Sequence, residues 1–157
     1  MAAGRKRLPV PEPSVLAADA RSEKGEDDGE RVPAADAEAR RERSRHDFTF
    51  FRRTYFPHYC LVKEDSRLHR WLDEELPRMA DSPEGGRLAV AAPRGEAKST
   101  FVSLFFVLWA VLTGRKRYVL LIADALEQAA SLLDAVKDEL EYNELLRDDF
   151  PEGVGKG

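Results

Sequence analysis

The sequence contains a single cysteine, Cys60, and no long hydrophobic run, and these two absences exclude several classes of protein. One cysteine forms neither an internal disulfide nor a cysteine-based zinc cluster, which fits a reducing compartment. The longest apolar run covers residues 104–112, whereas a helix that spans a membrane needs about 20 apolar residues. We therefore expect a buried helix there, and we interpret Cys60 as a small, partly buried side chain.

An excess of positive charge is also missing. The chain has 25 Lys and Arg against 29 Asp and Glu, so its net charge of -4 indicates no general affinity for nucleic acid. Its basic first residues are followed by Leu8, Pro9, Val10 and Pro11 instead of the apolar segment of a secretory signal. We expect one ordinary domain, at 157 residues, and a cytoplasmic location.

Aromatic residues are absent before Phe48, where the chain is rich in Pro, Ala, Gly and charged residues. Such a segment buries too little apolar surface to offset its ordering entropy, so residues 1–44 are predicted to be a disordered, charged tail. Residues 34–45 within it are candidates for a helix. Four arginines there would contact DNA phosphates or, in the preferred interpretation, form a solvated helix face: Arg40, Arg41, Arg43 and Arg45.

Two short helices are predicted next. Aromatic residues at helical spacing over residues 48–56 end at Pro57. A second helix begins at a cap on Asp65 or Ser66 and is expected to end at Pro77. Its apolar face would comprise Leu68, Trp71, Leu72 and Leu76. Residues 81–86 then read as a turn.

The rest of the chain alternates between strand and helix patterns. Residues 87–91 and 117–123 are apolar runs typical of buried strands, and residues 99–112 are an apolar helix closed by Gly114. A last helix over residues 124–142 has Asp124 and Glu127 at the spacing of a cap and its partner. Its predicted inner face comprises Leu126, Ala129, Ala130, Leu133, Val136 and Leu140. The alternation predicts an α/β fold, a parallel sheet with flanking helices over residues 45–157.

The segment between the first predicted strand and its helix matches a phosphate-binding loop. On the pattern G-x-x-x-x-G-K-[ST], Ala92 and Ala97 take the two glycine positions, and Lys98 and Ser99 follow. Glycine serves there for positive φ, and Gly95 would restore part of that freedom. The predicted nucleotide-binding residues are Ala92, Pro93, Arg94, Gly95, Glu96, Ala97, Lys98, Ser99 and Thr100.

These residues suggest ATP and Mg²⁺ as cofactors. Lys98 would hold the β- and γ-phosphates, and the Ser99 hydroxyl would bind Mg²⁺. Arg94 would add positive charge near the γ-phosphate, and Glu96 is expected to point to solvent. A strand-to-helix connection with an exposed Lys98 is the alternative.

The loop and its neighbours resemble the large subunit of tailed-phage terminases. The resemblance rests on Pro93-Arg94-Gly95 and Ala97-Lys98-Ser99-Thr100, and it extends over residues 47–157. The flanking segments that are similar are residues 50–59, Leu68-His69-Arg70, residues 112–118 and residues 121–124. The resemblance implies a P-loop ATPase domain of the ASCE type.

The terminase resemblance further implies a role in packaging viral DNA. In that family ATP hydrolysis drives double-stranded DNA into a procapsid, an RNase H-like nuclease domain follows, and the motor forms an oligomeric ring that works with a portal protein and a small terminase subunit. All of this is what the resemblance implies.

The carboxylates that this chemistry requires are not evident after residue 142. Asp124 ends an apolar run but Ala125 follows it, so we interpret it as a helix cap instead of the magnesium-binding aspartate of a Walker B strand. We therefore expect a fragment that ends before Walker B and binds nucleotide without turning it over. The alternatives are a fragment of a helicase-like P-loop ATPase and a non-catalytic interaction module with a degenerate loop.

Two further groups of residues are candidates for sites. His46, His58 and His69 are scattered without metal-ligand spacing, so surface positions are preferred to metal binding. Tyr55, Phe56 and Tyr59 would stack on a base or, in the preferred interpretation, pack in the core.

Overall fold

Helices and their connections build the part of the chain that the computed structural model describes, which is residues 34–60 and 64–153. The elements in chain order are α1 (Ala34–His46), α2 (Phe48–Tyr55), α3 (Arg67–Asp81), α4 (Lys98–Thr100), a π-helical turn (Phe101–Phe105), α5 (Phe106–Leu112), α6 (Leu126–Tyr142) and α7 (Glu144–Asp149). The turn joins α4 to α5 without a break, so residues 98–112 form one continuous helix.

The predicted α/β fold is wrong for these residues. Helix accounts for 63% of them and β-strand for none, so they contain no parallel sheet. An apolar run becomes a strand only when a neighbouring strand satisfies its backbone hydrogen bonds. Residues 87–91 and 117–123 are apolar enough to be strands, but they run as irregular chain without pairing to each other.

Side-chain burial in these two segments explains why the prediction failed. Leu88 and Val90 pack partly against the core. In the second segment, however, Tyr118, Leu120 and Ile122 are 80%, 65% and 79% exposed. No apolar side chain of residues 117–123 is buried within the described part of the chain, so their apolar character does not indicate a buried strand.

The predicted start of α2 at residue 48 is confirmed, and of the two predicted caps of α3, Asp65 and Ser66, the structure has Ser66. The Asp47 side chain accepts a hydrogen bond from Phe50 N–H at 2.8 Å, and the Ser66 side chain accepts one from His69 N–H at 3.2 Å. The predicted end of α3 at Pro77 is wrong, because Pro77 lies inside the helix, which continues to Asp81. A proline removes one backbone donor and disfavours a helix interior, but it does not forbid one.

The predicted apolar helix over residues 99–112 is confirmed, and it begins one residue earlier, at Lys98. It is followed by Gly114 in the left-handed conformation with φ 76°, as predicted for its C-terminal glycine. In the π-helical turn Phe106 N–H donates to the carbonyl of Phe101. Three of the five residues of this turn are buried: Phe101, Leu104 and Phe105. In the described part of the chain, no helix is both long and apolar enough to cross a membrane.

Trp109 lies at the centre of the core, with 1% of its surface exposed. Its indole N–H donates to the carbonyl of Ser44 at 2.8 Å, and its ring lies 5.3 Å from that of Phe48. Full burial of one such aromatic side chain contributes about 1.5–3 kcal/mol. The buried apolar side chains around it come from α2, α3, the helix over residues 98–112, α6, α7 and their ends: Phe48, Phe51, Tyr55, Phe56, Leu72, Leu76, Ala80, Phe101, Leu104, Phe105, Leu108, Ala110, Val136, Leu146 and Phe150.

Most of the predicted disordered tail, residues 1–33, lies outside the described residues, whereas Ala34–His46 form α1. The arginines of α1 are paired with carboxylates of the chain itself. Arg40 makes two hydrogen bonds to Asp149 at 2.7 and 2.6 Å, and Arg41 pairs with Glu152. These contacts join α1 to the α7 region. Neither interpretation of the arginines, as a solvated helix face or as contacts to DNA phosphates, predicts this.

The start of α6 differs from the prediction. Ala125, not Asp124, is its N-cap residue, and no side chain caps the helix. The expected inner face is buried only toward its C-terminal half: Val136 is 8% exposed, whereas Leu126 is 81% and Leu133 46% exposed. Asp124 is exposed. The predicted cap and the N-terminal half of the predicted apolar face are therefore wrong.

Candidate functional site

The connection before residues 98–112 has a distinctive backbone. Ala97 has φ 49° and ψ 25°, and among the described residues other than glycine it alone has a positive φ. Lys98 begins a right-handed helix directly after it. A left-handed residue next to a right-handed one turns successive N–H groups toward one side, which is the geometry of an anion-binding nest. Gly95, with φ 91°, adds a second positive φ to the same loop.

The positive φ of Ala97 matches its place in the sequence pattern. Ala97 was aligned with the second glycine of the phosphate-loop motif, a position where glycine commonly supplies left-handed backbone. For an L-residue this conformation costs about 1–2 kcal/mol. Such strained residues concentrate at functional sites, although strain alone does not define one.

Lys98 folds back over the loop that precedes it. Its ammonium group donates to the carbonyls of Ala92 and Pro93, each at 2.6 Å. The side chain therefore lies against the loop. The alternative interpretation, a simple connection with an exposed Lys98, predicts that it extends into solvent. Both partners are neutral, so the positive charge of Lys98 is solvated by dipoles and is not cancelled by a carboxylate.

The other predicted residues line the same short connection. Those that are exposed are Pro93, Arg94, Gly95, Ala97 and Ser99, and those of intermediate exposure are Ala92, Glu96, Lys98 and Thr100. The side chains of Arg94 and Ser99 are thus accessible to a ligand. Glu96 is less exposed than predicted, and its backbone carbonyl accepts a hydrogen bond from His69 Nε2 at 3.1 Å.

A cavity of about 510 Å³ lies beside the loop. Ala97 and Thr100 contribute to its wall on the loop side. Aromatic rings contribute more of it: Tyr59, His69, Phe101 and Phe105. Of the three aromatic residues considered for stacking on a base, Tyr55 and Phe56 are buried in the core, as preferred, whereas Tyr59 is 44% exposed and reaches this cavity.

His69 joins α3 to the loop. Its ring stacks on Phe101, with the ring centroids 4.8 Å apart and an angle of 21° between the planes. Since the bonded atom of Glu96 is a carbonyl oxygen, Nε2 of His69 is the donor in this contact. The sequence pattern predicts only a surface or edge position for His69 and does not reveal this contact.

A buried arginine supports this region. Arg52 is 1% exposed, and its guanidinium donates to both carboxyl oxygens of Asp73 at 2.8 and 2.7 Å and to Asp65 at 2.5 Å. It also lies 4.8 Å from the centre of the Phe101 ring. Asp65 precedes the Ser66 cap of α3, so the cluster fixes the start of the helix that carries His69.

The charges in this cluster reinforce one another. Burial alone would lower the pKa of Arg52, but hydrogen bonds and charge from Asp73 and Asp65 raise it above its ordinary value. Burial would raise the pKa of Asp65, and the hydrogen bonds from Arg52 and Arg53 instead hold it below its ordinary value. Arg52 and Asp65 are therefore both charged at neutral pH. Sequence reasoning missed the cluster, because its members are 13 and 21 positions apart.

A second buried carboxylate, Asp149, lies in the contact between α1, α2 and α7. Besides Arg40 it accepts a hydrogen bond from the Tyr55 hydroxyl at 2.6 Å. Burial, followed by this hydrogen bond, raises the pKa of Tyr55 well above its ordinary value. The polar atoms of Asp149 are satisfied by these partners, so we interpret the group as structural.

Metal ligands do not cluster in the described residues, where no group of three or more His, Cys, Asp or Glu side chains could hold an ion. His46 bonds Glu42, and His58 bonds Glu139. A magnesium ion bound with a nucleotide uses the phosphate oxygens, water and few protein ligands, so the exposed Ser99 hydroxyl fits that role without such a cluster.

Comparison of the chain with protein families, with curated proteins and with solved structures gives no match.

Proposed function

We propose that residues 92–100 bind the phosphate chain of ATP together with Mg²⁺. The observation that carries the proposal is the left-handed Ala97 directly before the helix that begins with Lys98. Such a residue turns successive N–H groups toward one side at a helix N-terminus, and the first helical residue here adds an ammonium group. A polyphosphate is the anion that uses all three together.

Three side chains of the loop have a role in this proposal. Lys98 exchanges its two carbonyl partners for the β- and γ-phosphates, and the Ser99 hydroxyl binds Mg²⁺. Arg94, which is exposed, contributes charge near the γ-phosphate. The cavity beside the loop receives the rest of the nucleotide, since the Tyr59 ring in its wall is 44% exposed and offers an apolar face to a base.

The wider role proposed is that of the ATP-binding part of a viral DNA-packaging motor. It is supported by the resemblance of the loop and its flanks to terminase large subunits, and it implies double-stranded DNA, a portal protein and a small terminase subunit as partners in the host cytoplasm. The proposal makes no use of a β-sheet. It depends on the loop and the helices around it.

A second candidate is a non-catalytic module in which the loop has lost its ligand. The two hydrogen bonds from Lys98 to Ala92 and Pro93 favour it, because they give the lysine a structural role that requires no nucleotide. The two functions differ in whether ATP displaces these bonds.

Titration of the full chain with a fluorescent ATP analogue and Mg²⁺ separates the two functions. We expect saturable binding by the wild type and an affinity at least tenfold lower for Lys98→Ala, the size expected for loss of one charge-assisted phosphate contact. Lys137→Ala is the matched control, since Lys137 is an exposed lysine on α6 that pairs with Asp134. Equal binding by Lys98→Ala and the wild type, or none by either, would support the interaction module.

A further inference from the structure

The peptide between Glu96 and Ala97 is held from outside the loop. Its carbonyl oxygen, that of Glu96, accepts a hydrogen bond from Nε2 of His69, a residue 27 positions earlier on α3. In a trans peptide the C=O and the following N–H point in opposite directions. Directing the Glu96 carbonyl toward α3 therefore directs the Ala97 N–H away from it.

This orientation matters because Ala97 is the left-handed residue of the loop. The loop is short and mostly exposed, and a left-handed alanine is not a conformation that the chain adopts without support. In a free loop the Glu96–Ala97 peptide would rotate, and the N–H groups of Ala97 and Lys98 would no longer point to the same side. The hydrogen bond from His69 opposes that rotation.

His69 is itself held firmly. Its backbone N–H donates to the Ser66 cap, its ring stacks on Phe101, and Phe101 belongs to the helical turn that directly follows Thr100. Arg52 contacts the same Phe101 ring and also binds Asp65. The imidazole therefore connects the loop, through Glu96, to the buried cluster that contains Phe101 and Arg52.

We infer that His69 is a positioning residue for the phosphate-binding loop: its Nε2–H fixes the Glu96–Ala97 peptide so that the loop N–H groups receive the phosphates. The inference rests on the proposed function. The role belongs to the Nε2–H donor and not to the stacked ring, so substitutions that remove one and keep the other test the inference.

Two substitutions separate the hydrogen bond from the ring. His69→Phe keeps an aromatic ring on Phe101 and removes the donor. His69→Gln removes the ring and supplies a side-chain N–H of similar reach. His46→Phe is the matched control, because His46 is an exposed histidine on α1 whose partner is Glu42. Each variant is titrated with the fluorescent ATP analogue, and its unfolding in urea is measured.

We expect His69→Phe to bind about fivefold to tenfold more weakly, as for loss of one hydrogen bond that orders a site, with little change in its urea midpoint. His69→Gln should recover most of the affinity although it lacks the stacked ring, and His46→Phe should bind like the wild type. The ring ¹⁵N spectrum of the wild type should show His69 protonated at Nε2.

Wild-type affinity in His69→Phe would overturn the inference, as would equal losses in His69→Phe and His69→Gln or a ring without a proton on Nε2. Lys98→Ala distinguishes these failures from failure of the proposed function. If Lys98→Ala loses affinity and His69→Phe does not, only the positioning role is wrong. If the wild type does not bind the analogue, both are wrong.

Discussion

Arg52 and Lys98 are both cations held by the fold, and they differ in the charge of their partners. Arg52 is 1% exposed and bonds two carboxylates, Asp65 and Asp73. Lys98 is half-buried and bonds two backbone carbonyls, which carry no net charge. The positive charge of Arg52 is therefore used inside the protein, whereas that of Lys98 remains available to an anion.

The difference also concerns what each cation would lose on binding a ligand. Removing Arg52 from its carboxylates would leave buried charges without a partner, which is costly. Lys98 would exchange carbonyl oxygens for phosphate oxygens, and charge-assisted hydrogen bonds to phosphate are the stronger kind. Of these two cations, Lys98 is therefore the one that we propose binds a ligand.

The largest effect is expected for Arg52→Ala. Loss of one partner from a buried ion pair costs about 3–5 kcal/mol, so the variant should unfold at a much lower urea concentration than the wild type. Arg53→Ala is the control: Arg53 also bonds Asp65 but its side chain is 40% exposed, and a cost of about 1 kcal/mol or less is expected. Equal losses in the two variants would contradict the contrast.

Asp65→Asn tests the same cluster through pH. We expect a loss of about 2 kcal/mol at neutral pH, the size of a hydrogen bond to a charged group in a partly buried site. Since the folded pKa of Asp65 lies below its ordinary value, its stabilisation is present above the unfolded pKa of about 3.9 and is lost as pH falls through the folded pKa.

Urea unfolding between pH 2 and pH 7 measures this directly. The difference in unfolding free energy between the wild type and Asp65→Asn should stay constant above about pH 5 and shrink on acidification. A difference that grows as the pH falls would show that the sign is wrong.

Lys98→Met should change stability by only about 1 kcal/mol, because the carbonyls of Ala92 and Pro93 that it leaves lie where water reaches them. The measurement is again the free energy of unfolding in urea. A loss as large as that of Arg52→Ala would mean that Lys98 is a structural residue, and would weaken the proposal of a binding role.

The smallest effects concern the loop backbone. Ala97→Gly relieves the strain of a positive φ but adds freedom to the unfolded chain, so we expect a net stabilisation of about 0.5 kcal/mol. Gly95→Ala should destabilise by about 1 kcal/mol through φ alone, since a Cβ there would meet no atom within 4 Å. Thermal unfolding of both variants measures these changes in stability. Melting temperatures that move in the same direction for the two variants would contradict the predictions.

Local rules predicted much of the helical structure from the sequence. The Ser66 cap of α3 and the glycine after residues 98–112 depend on a few neighbouring residues, and both are present. The sheet depended on pairing between distant segments, which apolar runs alone do not determine. The helix α3 continues past Pro77 because Leu76 and Ala80, on either side of the proline, are buried in the core.

The candidate site divides in the same way. The pattern around Lys98 identified the loop, and its alignment placed Ala97 where a positive φ is found. Its support was not predictable, because His69 and Arg52 act through contacts with residues far away in the sequence. Only the imidazole stacking on Phe101 and the bond to Glu96 reveal that α3 holds the loop.

The most direct test of the account follows the backbone amides of a ¹⁵N-labelled chain while ATP and Mg²⁺ are added. Binding at the proposed loop should shift the amide signals of residues 95–100 first and most and leave the amides around Asp149 unaffected. Lys98→Ala should need about tenfold or more ATP to reach the same shifts. Absence of any shift at residues 95–100, or shifts confined to another part of the chain, would contradict the claim that this loop is a nucleotide site.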